Sequence, residues 1–181
     1  MSKKSLIMSL VLVLTLIPAP LATAEDTYIE DTDTSWGVIT SDDGFSKTFT
    51  IFKNAINTGY TDFGDDITYS IEIQCEKKKL EVLVYSEPLG IYPSTDFSLI
   101  GYAQVKIDSG KVAKYNYMAL KDSSGVGIWS PKLLTTAMLK GKKQVAFKIA
   151  SSIQADTVAN FALADLSSYV PKFKSRGCSL R

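Results

Sequence analysis

Two cysteines, Cys75 and Cys178, are the side chains best suited to covalent chemistry in this sequence. They stand 103 positions apart, so a C-x-x-C redox pair is absent and a structural bond is the chemistry left to them. With two cysteines one intramolecular disulfide is possible; the alternatives are two buried free thiols, or Cys178 bonded to another chain. The chain has no histidine, which excludes a Ser–His–Asp triad, a Cys–His dyad and every His-based metal site. Ser-x-x-Lys, G-x-S-x-G, P-loop and G-x-G-x-x-G patterns are also missing.

Carboxylates remain. Asp31-x-Asp33 has the spacing of two calcium ligands but lacks the glycine turn and closing glutamate of a loop of that kind. Asp62, Asp65 and Asp66 sit in an Asn/Gly/Asp/Thr-rich stretch, 57–66, that reads as a solvated turn. Two acids could still meet in space as they do in glycosidases, but no pair is marked by the order of the chain. The expectation is no catalytic, cofactor or metal residues.

The element that must carry Cys75 is Ile67–Glu76. Ile67, Tyr69, Ile71, Ile73 and Cys75 alternate with Thr68, Ser70, Glu72, Gln74 and Glu76. Strict alternation makes a strand with one buried and one wet face. Lys77-Lys78 turns it into Leu80, Val82 and Val84, a hairpin with a basic tip whose three lysines read as solubility and edge protection. Further strands are expected over Ser35–Ile39, Lys47–Lys53, Ser98–Ile107, Lys111–Leu120, Gln144–Ile149 and Val158–Leu163. Gly125-Val126-Gly127 reads as loop punctuation. Leu133, Leu134, Ala137 and Met138 lie at helical spacing between Pro131 and Gly141, and Asp165 is placed to cap a short helix holding Leu166, Tyr169, Val170 and Phe173. The fold class is mainly β: an antiparallel β-sandwich with one or two short helices.

Tyr115 and Tyr117 could be an aromatic binding strip or core residues. Asp108-Ser109-Gly110 suits a three-residue loop with Gly110 left-handed, pairing Ile107 with Lys111. That register sets Tyr115 opposite Ala103 and Tyr117 opposite Gly101, large against small on the inward face. A two-residue loop would put both rings on the wet face beside Tyr102 and would force Ser109 to positive φ. The core reading is therefore expected.

The N-terminus carries an address. Lys3 and Lys4 precede the apolar run Leu6–Ile17, Pro18 and Pro20 break it, and Ala22-Thr23-Ala24 is an A-x-A cleavage signature before Glu25. We expect residues 1–24 to be a signal peptide cut between Ala24 and Glu25, residues 25–34 a flexible acidic lead-in, and 35–181 a single domain. The run is too short for a membrane span, and no later stretch is long enough to cross a bilayer. Losing Lys3 and Lys4 takes the formal net charge from +1 to −1, which gives no ground for a nucleic-acid partner. Export would place the cysteines in an oxidising compartment, secreted or periplasmic, where they are expected to join.

Several segments together carry a resemblance. They are Ile73-Gln74-Cys75, Leu80–Tyr85, Tyr102–Ile107 with its Asp108-Ser109-Gly110 turn, Trp129-Ser130 before a Leu-rich helix ending Leu139-Lys140-Gly141, and Asn160-Phe161-Ala162-Leu163-Ala164-Asp165-Leu166 before a C-terminal cysteine. As a spaced pattern over most of Trp36–Cys178, this resembles the VasI/TagO family of envelope proteins associated with type VI secretion. The resemblance implies an exported, non-enzymatic accessory or binding domain whose partner is a protein or envelope component. The alternatives are a secreted hydrolase with an unrecognised carboxylate site, and a small inhibitor or toxin presenting the Glu87–Asp96 connection as its protruding loop.

Overall fold

The structure is a computed structural model that describes residues 27–32, 35–42, 44, 46–56, 59–60, 66–87, 100–120, 125–149 and 158–181. The expected signal peptide, its Ala24–Glu25 junction, Asp33, Asp62, Asp65 and residues 88–96 of the candidate inhibitor loop lie outside the described residues.

The described residues form eleven strands: β1 (Thr27–Ile29), β2 (Gly37–Asp42), β3 (Lys47–Asn54), β4 (Gly59–Tyr60), β5 (Asp66–Glu76), β6 (Lys79–Glu87), β7 (Ile100–Ile107), β8 (Ala113–Ala119), β9 (Gly125–Ile128), β10 (Gln144–Ile149) and β11 (Val158–Ala162). Helix α1 (Pro131–Met138) separates β9 from β10, and a 3₁₀ turn (Leu166–Tyr169) leads into α2 (Val170–Ser175). The strands run β1-β2-β3-β5-β6-β9-β8-β7-β10-β11, with β4 beside β5, and every pairing is antiparallel. This is the expected mainly β, antiparallel architecture, and its two layers belong to one continuous sheet. The sheet folds over so that β11 packs against β3 and β5. Just past β3, the Ile56 N–H donates to the Asn160 carbonyl of β11 at 2.7 Å.

The alternation of β5 gives it one dry face. Ile67, Ile71 and Ile73 are fully buried, and Tyr69 and Cys75 nearly so. They face Phe49 and Ile51 of β3, Val82 and Val84 of β6, Phe147 of β10, Phe161 of β11, Leu134 and Met138 of α1 and Phe173 of α2 in one core. Thr135 is also buried in α1, where its hydroxyl donates to the Leu180 carbonyl at 2.9 Å, while Leu133 points outward. Cys75 and Cys178 are joined in a disulfide with Cα atoms 6.0 Å apart, which ties the chain beyond α2 to the centre of the sheet.

Several expectations need correction. The acidic stretch expected as a lead-in contributes β1, an edge strand pairing Thr27–Ile29 with Val38–Thr40. Behind it, the buried Lys53 ammonium donates to the Thr32 and Ser35 carbonyls and faces the Asp31 carboxylate at 3.7 Å. The stretch expected as a loop over 57–66 includes β4, which pairs with Asp66 and Ile67. Gly125-Val126-Gly127 is not a loop but most of β9. Asp165 does not cap through its side chain; it is itself left-handed at φ 61°, and its carbonyl accepts the Ser168 N–H.

The β7–β8 register pairs Ala103 with Tyr115 and Gly101 with Tyr117, and both tyrosines are buried, at 8% and 3% exposure. The turn achieves this differently from expectation. Asp108, not Gly110, takes positive φ, at 50°, and pairing stops at Val105–Ala113. The reason is tertiary: the Asp108 carboxylate accepts the backbone N–H groups of Lys142, Lys143 and Gln144 at 2.8–2.9 Å.

Candidate outer-face groove

The outer face of the sheet carries the polar half of each alternating strand, and its centre breaks that rule. Reading across β3, β5, β6, β9 and β8, the register aligns Phe52, Glu72, Leu83, Gly127 and Met118 in one row. Cross-strand neighbours of this kind stand about 4.5–5.5 Å apart at Cβ. The row is apolar except for Glu72. At one end the Phe52 ring lies over Gly37, whose missing side chain makes room for it, and stacks on Tyr28 with centroids 5.6 Å apart.

At the other end the row drops into a groove along β9. Val126 and Ile128 point into the core, so the outward positions of this strand are Gly125 and Gly127, which have no side chain. Leu83 and Glu81 of β6 form one bank. Met118 of β8 and Trp129 form the other, and the last two are about half exposed, at 51% and 52%. The cavity measures about 320 Å³ and reaches Pro131, where α1 begins.

The two glycines differ. A Cβ at Gly125 would run into the Val84 carbonyl oxygen, so the close approach of β6 and β9 requires glycine there. A Cβ at Gly127 would meet only the Leu83 Cδ2 at 3.5 Å and the Met118 carbonyl at 3.9 Å, both ordinary contacts. Packing therefore does not demand glycine at 127, and its effect is to keep the groove open. The sheet also parts beside the groove. β6 pairs with β9 only over Leu83–Tyr85, so Lys79–Val82 has β5 on one flank and no paired strand on the other among the described residues.

Charge at the groove is sparse. Lys79 and Glu81 pair at 2.6 Å on its rim. Burial pushes the Glu72 carboxyl above the ordinary glutamate range. Among the described residues the Glu72 side chain meets no hydrogen-bond or ion-pair partner. Elsewhere carboxyls shift the other way: Asp108 is held low by the three backbone N–H groups, and Asp42 by the Lys47 ammonium and the Gly44 N–H.

The disulfide cysteines lie on the opposite, buried face; Cys75 is the cross-strand partner of Leu80, whose strand forms one bank of the groove. Asp31 is engaged by Lys53 and by the Asn54 main-chain and side-chain N–H groups, at 3.2 and 2.7 Å. No group of three or more potential ligands that could hold a metal occurs among the described residues. Tyr115 and Tyr117 are core, so the aromatic strip they would have made with Tyr102 does not exist. The groove residues were missed in the sequence because two glycines look like a turn. The signal was present: Val126 and Ile128 alternate with Gly125 and Gly127 as a strand's faces do.

No protein-family model, curated protein or solved structure matches the chain. No helix among the described residues is long and apolar enough to cross a membrane.

Proposed function

We propose that this protein is an exported, non-enzymatic binding domain that holds an extended segment of an envelope or extracellular partner in the Gly127 groove. The supporting observation is Gly127 itself: a position with room for a side chain, left empty, between the exposed Met118 and Trp129. An extended chain laid there would contact apolar banks and run beside the unpaired flank of Lys79–Val82, in the manner of strand addition. The N-terminal address pattern and the disulfide support a secreted or periplasmic location. The resemblance to the VasI/TagO family extends this to a proposal that the partner belongs to a type VI secretion assembly.

The test is photo-crosslinking in intact cells, with a benzoylphenylalanine at position 118 and, as control, at the exposed Val112 near the β7–β8 turn. The groove reading expects an adduct from position 118 that disappears when Gly127→Phe fills the groove. No adduct, or the same adduct from both positions, overturns it.

A further inference from the structure

The β5–β6 hairpin ends in Lys77-Lys78-Lys79, and α2 with its following turn carries Lys172, Lys174 and Arg176. The Cys75–Cys178 disulfide brings these two segments together. Gly177 lies against the Lys78 stem so closely that a Cβ there would stand 2.9 Å from Lys78 Cγ. Lys77 is matched by Glu76 at 3.2 Å and Lys79 by Glu81 at 2.6 Å. Lys78, Lys172, Lys174 and Arg176 have no acidic partner among the described residues. A chain of formal net charge +1 thus gathers four unmatched cations at one pole.

Backbone conformation does not favour lysine at this turn. Glu76 pairs with Lys79, so Lys77 and Lys78 are the two central residues of the hairpin loop, with φ of 47° and 67°. Such loops favour Asn-Gly because other L side chains resist positive φ. Two lysines stand there instead. β5 is an interior strand, and the open flank of β6 begins at Lys79, so edge protection bears on Lys79 rather than on the loop pair Lys77-Lys78.

The arrangement suits a spread of negative charge over a surface. Lys77, Lys78, Lys172 and Lys174 are exposed on long stems, and none of them lines the neighbouring polar recess, which carries the Asp42 carboxylate beside Lys47 and Arg176. A discrete anion would meet that carboxylate; a flat anionic face would not. No exposed large apolar side chain among the described residues lies on either basic segment, so adsorption rather than insertion fits the pole.

We propose that the disulfide-bound basic pole docks the protein on a bilayer surface rich in anionic phospholipid. This goes beyond the groove reading and does not depend on it. Each unmatched cation should raise partitioning about five-fold at an anionic surface, with the gain screened by salt.

The test is sedimentation of the oxidised, exported protein with phosphatidylglycerol/phosphatidylcholine vesicles and with phosphatidylcholine alone. Binding to the anionic vesicles, lost at high salt and absent from neutral ones, is expected. Lys77→Asn/Lys78→Gly, which removes one unmatched and one paired cation, should weaken it at least about five-fold, and Lys174→Gln, on a different segment, about five-fold. The first variant also makes the turn more favourable, so its melting temperature, expected not to fall, separates lost charge from lost fold. Equal partition into neutral vesicles overturns the proposal. So does wild-type binding by both variants, or complete competition by millimolar inorganic phosphate, which would mark a discrete anion site.

Discussion

The β5–β6 and β7–β8 hairpins have the same topology and are held by opposite devices. The β5–β6 hairpin pairs from Thr68–Glu87 down to Glu76–Lys79, ends in a two-residue loop of unfavourable composition, and is fastened to the C-terminal segment by a covalent bond. The β7–β8 hairpin stops pairing at Val105–Ala113, and its turn is fastened to the start of β10 by one carboxylate. In both, residues other than glycine take positive φ, and at the β7–β8 turn the reason is the distant segment that Asp108 holds. One clamp is sensitive to redox state and indifferent to acid. The other is sensitive to acid and indifferent to reductant.

Reduction tests that contrast most severely. Opening Cys75–Cys178 frees a loop spanning 103 positions, and the chain-entropy estimate for a loop of this size is about 4–5 kcal/mol. Denaturant titration of the oxidised protein against Cys75→Ala/Cys178→Ala should show a loss of that order, independent of pH between 5 and 8. A loss confined to α2, with the sheet unchanged by hydrogen exchange, would mean that the tail is ornamental to the fold.

Acid tests the second clamp. Because the folded-state pKa of Asp108 is lowered by the Gln144, Lys142 and Lys143 N–H groups, its contribution is fully present above the unfolded value of about 4. It is lost as pH falls through that value toward the lower folded one. Asp108→Asn tolerates the left-handed backbone and removes the charge. Its melting temperature should lie below wild type at neutral pH and converge with it in acid. A constant gap would show that geometry rather than charge holds the turn. Reductant should not change the gap.

The Lys77-Lys78 loop should respond in the opposite sense. Lys77→Asn/Lys78→Gly relieves two left-handed lysines, and a gain of about 1 kcal/mol is expected by chemical denaturation. A loss would mean that the Lys78 stem packed on Gly177 matters more than its backbone strain.

What the sequence revealed follows the same division. The β5 alternation and the Tyr117–Gly101 match were legible because each is local to a strand or hairpin. A Cβ at Gly101 would lie 2.6 Å from the Tyr117 ring, the complementarity that the register argument used. Strand β1 was not legible because all three of its residues are exposed and show no alternation. Asp108 was misjudged because its partners lie 34–36 positions later. The groove was illegible for a third reason: it belongs to no segment. Leu83, Gly127 and Met118 become neighbours only when three strands align, and each alone is an ordinary residue of its strand.

The finest contrast lies between two glycines in one four-residue strand. Gly125 and Gly127 face the same side of β9, yet a methyl group meets different surroundings at each. At 125 it would collide with the Val84 carbonyl oxygen and press on Tyr85, so strands β6 and β9 would have to separate. Gly125→Ala should therefore destabilise by about 1–3 kcal/mol. At 127 the methyl would enter the groove and touch Leu83 and Met118 at ordinary distance, and φ there is not positive. Replacing glycine at such a site restricts the unfolded chain, so Gly127→Ala should leave stability unchanged or raise it by about 0.4–1 kcal/mol. The same methyl narrows the floor between Met118 and Trp129, so crosslinking from position 118 should weaken even as stability holds. If Gly127→Ala proved as costly as Gly125→Ala, the glycine would be there for packing and the groove would lose its meaning. If it were stable and left crosslinking untouched, the partner would not reach the floor.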